Sequence, residues 1–147
     1  MKLSAIWLGA AFFLLSGAGH AAASAPTRVP FSGVDISGVY GCVGNDAHDG
    51  NFTSSMTLTL DRQYSSGQSG SFKVTVEGEH DSYTGSIVTN GKRLAMDFAN
   101  KDLSKNDFGV ALGSVSSPAT ARFKIEKFYY QPRYMGGSNG FETCTLK

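Results

Sequence analysis

Beyond residue 34 the apolar residues of this chain recur at every second position rather than every third or fourth. Phe72-Lys73-Val74-Thr75-Val76-Glu77 alternates without a break, and Met56-Thr57-Leu58-Thr59-Leu60, Leu94-Ala95-Met96-Asp97-Phe98 and Phe123-Lys124-Ile125-Glu126 follow the same rule. Successive side chains of a strand point to opposite faces, so such a run buries one row and leaves the other in water. The pattern predicts strands near 36–43, 52–60, 71–78, 83–89, 92–98, 108–116, 121–130 and 140–146, and no segment offers a sustained helical face. Asn90-Gly91 falls between two runs and predicts a type I′ hairpin turn, whose central positions both need positive φ. Glu79-His80-Asp81-Ser82 and Ser116-Ser117-Pro118-Ala119 supply further reversals, and Ser65-Ser66-Gly67-Gln68-Ser69-Gly70 separates two more runs. Short strands at this spacing belong to an all-β barrel or sandwich.

The cysteines choose between them. Cys42 stands near the start of the folded part, Cys144 three residues from the end, and no other thiol is present. A disulfide between them requires the first and last strands to be neighbours, which closes an antiparallel, up-and-down, eight-stranded barrel. Such a bridge spans a loop of about a hundred residues and is worth up to ~4.7 kcal/mol in the chain-entropy model. Metal ligation by two thiols lacking C-x-x-C spacing is a poor alternative.

The amino terminus supports an oxidising destination. Lys2, an apolar run from Ala5 to Leu15 and an Ala-x-Ala exit describe a cleaved secretory signal. Cleavage after Ala23 is favoured over Ala25, which would leave Pro26 at the new terminus. The expected divisions are a signal over 1–23, an extended and poorly ordered leader over 24–34 with Pro26 and Pro30, and one barrel domain over 35–147. This places the protein in the periplasm or outside the cell, and His20 leaves with the signal. The net charge of +1 arises from interspersed residues, which argues against a nucleic-acid or anionic-membrane surface. Membrane insertion is not expected either: spanning strands need roughly 9–11 residues and aromatic girdles, whereas several runs here are about six.

An up-and-down order puts alternate loops at opposite ends. Loops 44–51, 79–82, 99–107 and 131–139 then share one mouth, and 61–70, 90–91 and 116–120 the other. The first set is chemically richer, so function is expected there. The inward row is Tyr40, Met56, Leu58, Leu60, Phe72, Val74, Val76, Tyr83, Ile87, Leu94, Met96, Phe98, Phe108, Val110, Leu112, Phe123 and Ile125. Gly38, Gly78 and Gly85 share its parity. Eight strands leave room to be packed solid or to hold one small ligand, and these mostly bulky residues favour a solid core. Tyr40, Phe72 and Met96 in one continuous core would rule out a carrier with an internal void.

Gly38-Val39-Tyr40 is similar to the G-x-W opening of lipocalins, with Tyr in place of Trp, and Tyr83-Thr84-Gly85-Ser86-Ile87, Asn90-Gly91 and Leu94-Ala95-Met96-Asp97-Phe98 resemble the central hairpins of small lipocalin-like domains. Gly38-Val39-Tyr40-Gly41-Cys42 with Asp46-Ala47-His48-Asp49-Gly50, and Phe128-Tyr129-Tyr130 with Gly136-Gly137 before Cys144, resemble small secreted bacterial proteins of no assigned activity. The resemblance implies a lipocalin-like barrel and an exported compartment. It transfers no functional residue.

Two mouth clusters carry chemistry. Asp46, His48 and Asp49, facing His80 across the mouth, could ligate a divalent ion. The spacing does not fit a calcium loop, and turn chemistry explains the same residues. Arg133 and Tyr134, beyond Pro132, could form a partner surface, with the preceding Lys127-Phe128-Tyr129-Tyr130 as barrel wall. Gly136-Gly137-Ser138-Asn139-Gly140 spells the hydrolase G-x-S-x-G, but that elbow needs a strand before its serine and a helix after it, and the few residues that follow read as the last strand, with both His48 and His80 ahead of the serine. Asn51-Phe52-Thr53 is a formal glycosylation sequon in a chain whose signal looks bacterial. The expectation is an exported, non-enzymatic binding protein whose mouth loops take a small apolar molecule or an envelope protein. Two rivals are a periplasmic inhibitor-like module and a metal-dependent enzyme using His48 and His80. No cofactor is expected beyond the possible divalent ion.

Overall fold

The structure is a computed structural model, and it describes residues 28–117 and 122–147. Eight strands form one closed antiparallel barrel in chain order: β1 (Gly38–Asp46), β2 (Gly50–Leu60), β3 (Ser69–Glu77), β4 (Ser82–Asn90), β5 (Arg93–Asn100), β6 (Phe108–Ser116), β7 (Lys124–Gln131) and β8 (Ser138–Leu146). Closure leaves no unpaired edge for another chain to extend. Cys42 and Cys144 are register partners across the β1–β8 seam and are joined by a disulfide. The bridge is compatible with an oxidising, exported compartment. The expected signal segment and cleavage site lie outside the described residues, as do Pro118 and Ala119 of the expected reversal.

Below its middle the barrel is filled. Tyr40, Met56, Phe72, Ile87 and Ile125 are each fully enclosed, and Leu58, Val74, Leu94 and Met96 complete one cluster with them. Ile36, ahead of β1, joins this core and accepts a hydrogen bond through its carbonyl from the buried Tyr40 hydroxyl (2.7 Å). The chain before it is extended and tied down: Phe31 bridges Gly67, Ser32 N–H donates to the Gly67 carbonyl (2.8 Å), and Ser66 Oγ donates to the Val29 carbonyl (2.9 Å).

Three sequence expectations need correction. The β6 row was inverted: Phe108, Val110 and Leu112 face outward, Leu112 at 68% exposure, while Gly109, Ala111 and Val115 are buried. The reason is room. A Cβ at Gly109 would run into the Phe98 ring and the Tyr130 carbonyl, and one at Gly113 into the β7 backbone. The inner wall of β6 therefore takes small residues, and its large ones join Phe128, Tyr130 and Phe141 in an exposed apolar band across β6–β8. Next, the hairpin turn is Gly91-Lys92, one residue on from Asn90-Gly91, because Asn90 still pairs with Arg93. Of these, Gly91 alone has positive φ (58°), the requirement of a type II′ turn at its first central position. Finally, the strands run 8 to 11 residues, not six. Length therefore does not separate this barrel from a membrane-spanning one. The outward rows of β2, β3 and β5 carry exposed Thr57, Thr59, Lys73 and Asp97.

Candidate functional site: a hollow mouth

Above Met96 the interior opens. Gly44, Gly109 and Gly140 occupy inward positions of β1, β6 and β8, opposite Phe52, Phe98 and Tyr129 in register. Each ring lies in the space that a Cβ of its glycine would take. The three rings line the wall edge-to-face, with Phe98–Tyr129 and Phe52–Tyr129 centroids 6.3 Å apart. Between them and Val76, Met96 and Tyr83 lies a cavity of about 490 Å³, open at the mouth. Small-molecule sites commonly fall within ~300–1,000 Å³. The expectation of a solid interior thus holds for the lower barrel and fails for the upper, where glycines leave the cross-section unfilled.

The cavity carries a buried ion pair in its wall. Lys127 and Glu142 face each other in register on β7 and β8 and are in direct contact, their side chains 3% and 5% exposed. Ser54 Oγ donates to Glu142 (2.7 Å) from β2. Burial pulls the Lys127 amine down to about 7. Two further carboxylates are fixed nearer the rim. Asp46 accepts from Ser138 Oγ (2.6 Å), Tyr129 Oη (2.7 Å) and the amide N–H of His48 (2.8 Å). Desolvation raises its carboxyl, but the hydrogen bonds from Ser138, Tyr129, His48 and Asp49 together outweigh that and hold it below the ordinary value. Asp107 accepts from Tyr83 Oη (2.8 Å) and Gln131 Nε2 (2.9 Å). Burial first, and then these carboxylates, push both tyrosine hydroxyls upward, so they remain protonated donors.

The mouth loops come together as the strand order implied. Asp46, Asp49, His80, Asp81 and Tyr134, from three different loops, all border the cavity. They fall into two couples. Tyr134 Oη donates to Asp49 (2.9 Å) and the His48 ring meets the Gly137 carbonyl (3.1 Å), joining the β1–β2 and β7–β8 loops. The hydrogen bond to Asp49 raises the Tyr134 hydroxyl to about 12, with desolvation and then the Asp49 charge as smaller causes. Across the mouth, Asp81 binds Lys105 and Asn100 Nδ2 (2.8 Å), joining the β3–β4 and β5–β6 loops, and the Lys105 contact holds the Asp81 carboxyl low.

His80 is exposed and lies 3.9 Å from Glu79. Among the described residues, the one group placing three metal-ligating side chains within 4.8 Å is Cys42, Glu142 and Cys144, whose sulfurs are consumed by the disulfide. Asp46, His48, Asp49 and His80 do not form such a group. Arg133 sits over the Phe108 ring, 5.7 Å from its centroid. Ser138 is fully buried at the start of β8, donating to Asp46, with strand rather than helix after it.

Sequence reasoning missed Lys127, Glu142 and Tyr129 as cavity groups. The signal was available in parity: Lys127 and Tyr129 share the inward row of Ile125, and Glu142 that of Cys144. Opposite charges on the inward rows of two consecutive strands, which the up-and-down order makes neighbours, mark a buried pair.

Fold and site define a class of molecule: a closed up-and-down barrel sealed by one disulfide, solid at one end and hollow under its loops at the other. Among solved structures the chain is similar to a redesigned β-barrel, with 12% identity and a TM-score of 0.50 over 76% of this chain and 91% of that one. Likeness at that identity is one of fold alone; it supports the barrel and does not extend to lipocalin kinship. No family model and no curated protein matches the chain.

Proposed function

We propose that this is an exported, non-enzymatic binding protein that holds a small, uncharged, largely apolar molecule in the cavity beneath its mouth loops. The observation that carries the reading is the cavity itself, walled by Phe52, Phe98, Tyr129, Val76 and Met96. Apolar walls with a few fixed polar groups are the usual make-up of a small-molecule site. Tyr40, Phe72 and Met96 belong to one packed core, the arrangement expected to count against a carrier, so the reading is confined to the space above that core. The space that remains is shallow, with Met96 bordering both core and cavity. Its border carries Asp46, Asp49, Glu79 and Asp81, so a carboxylate ligand meets like charge there.

Titration with N-phenyl-1-naphthylamine, an uncharged fluorescent dye, tests this. The account predicts saturable one-to-one binding that is lost in Val76→Trp, a variant that fills the cavity, with the melting temperature retained. Absence of saturable binding, or binding indifferent to Val76→Trp, refutes it.

A further inference from the structure

Lysine is among the residues least often fully buried, and where it is buried it is paired. Lys127 follows that rule in an unusual place. Its neighbours along the inward row of β7 are Ile125, Tyr129 and Gln131, and its side chain borders the cavity rather than the packed core. A buried ion pair adds little stability compared with apolar residues of similar volume, so the pair is not accounted for by stability alone. What the arrangement supplies is an amine, a carboxylate in contact with it, and an apolar chamber beside both.

We propose that Lys127 anchors the cavity's ligand covalently and reversibly, taking an uncharged aldehyde with an apolar body as an imine. This rests on the mouth-cavity reading above and names its ligand class. The chemistry closes on the residues present. Glu142 accepts a proton from the Lys127 ammonium, and the freed nitrogen lone pair attacks the aldehyde carbon. A proton passes from the attacking nitrogen, now positively charged, to the former carbonyl oxygen, giving a neutral carbinolamine. Glu142 returns a proton to that hydroxyl, the C–O bond breaks, and water leaves as the C=N bond forms. No electrons are gained or lost, and hydrolysis reverses every step. The resulting iminium would face the Glu142 carboxylate, which Ser54 holds in position (2.7 Å). Desolvation, which already favours the neutral amine, makes the nitrogen available near neutral pH. The carboxylates around the mouth oppose an anionic ligand and do not oppose an aldehyde.

The test uses the wild-type mature protein, so it does not depend on a Lys127 variant folding. The protein is incubated with equimolar 3-phenylpropanal and sodium cyanoborohydride at neutral pH, and the reduced adduct is located by peptide mass spectrometry. The expected result is at least tenfold more adduct on Lys127 than on Lys73, Lys92, Lys101, Lys105, Lys124, Lys147 or the amino terminus, and loss of that preference in Val76→Trp. Labelling that follows exposure, with Lys127 unmodified, overturns the proposal. The alcohol 3-phenylpropan-1-ol separates the two readings. Displacement of the naphthylamine dye by both alcohol and aldehyde, with no Lys127 adduct, sinks the imine and leaves the cavity standing. Failure of the dye itself to bind sinks both.

Discussion

Opening the seam is the perturbation whose magnitude follows most directly from the topology. In Cys42→Ala/Cys144→Ala the covalent link between β1 and β8 is gone, but seven registered residue pairs from Tyr40–Leu146 to Asp46–Gly140 still join those strands. The native barrel therefore stays closed, and the loss falls chiefly on the unfolded chain, which regains the entropy of a loop closed across 102 residues. In the chain-entropy model that is worth ~4.7 kcal/mol at 25 °C, and measured losses for native bridges run about 2–5 kcal/mol. With a urea slope of about 2 kcal/mol/M, the transition midpoint should fall by roughly 1–2.5 M. Urea titration followed by far-ultraviolet circular dichroism and tyrosine fluorescence reads this out on residues 24–147, which contain no tryptophan, the one tryptophan being Trp7. The variant should keep the native spectrum in buffer and keep its dye binding. A loss below about 1 kcal/mol would show that the unfolded chain is not constrained as the loop length requires. Loss of the native spectrum without denaturant would show that the β1–β8 ladder does not close the barrel by itself.

Other expectations follow from single contacts. Gly109→Ala should displace the Phe98 ring into the cavity, lowering stability by about 1–3 kcal/mol and weakening dye affinity together; unchanged affinity contradicts the ring-over-glycine packing. Leu112→Lys should shift stability by no more than about 0.5 kcal/mol, as an outward substitution does, whereas Ala111→Lys should prevent folding or cost several kcal/mol; the reverse order would restore the inverted β6 row. Asp46 is depressed in the folded state, so its contribution is present above the ordinary carboxylate range and is lost as pH falls through its folded value. Asp46→Asn should therefore flatten the acid limb of the stability–pH curve, and an acid limb of unchanged slope would remove Asp46 from that account. Finally, Glu142→Gln should destabilise more than Lys127→Met/Glu142→Leu, because the single change strands a buried amine while the double removes both partners; urea titrations in the opposite order would show that the pair is not buried as described.

Much of this architecture was legible because β-strand patterning is local. Alternation at Phe72–Glu77 and Leu94–Phe98 located strands and their faces, and the positions of Cys42 and Cys144 supplied the one long-range fact needed to close the sheet. The order of strands then placed His48, Asp49, His80 and Tyr134 around one mouth. Where reading by residue size was used instead of reading by space, it failed. Phe108, Val110 and Leu112 are large and alternate, yet they point outward because the Phe98 ring and the β7 backbone already occupy the space that side chains at Gly109 and Gly113 would need. The cavity was hidden for the same reason: it results from glycines facing aromatic rings on neighbouring strands, a cross-strand relation that no single run displays. Lys127 was read only as part of the barrel wall, although its parity with Ile125 already turned it inward.

The central claim is that ligand enters the hollow mouth and stops above the packed core. An amide and methyl NMR titration with indole, an uncharged aromatic probe, tests it most directly. The account predicts saturable shifts at Phe52, Val76, Met96, Phe98 and Tyr129, with Phe72, Ile87 and Ile125 unmoved. Shifts confined to Leu112, Phe128 and Phe141 on the outer band, with the mouth residues silent, would contradict it.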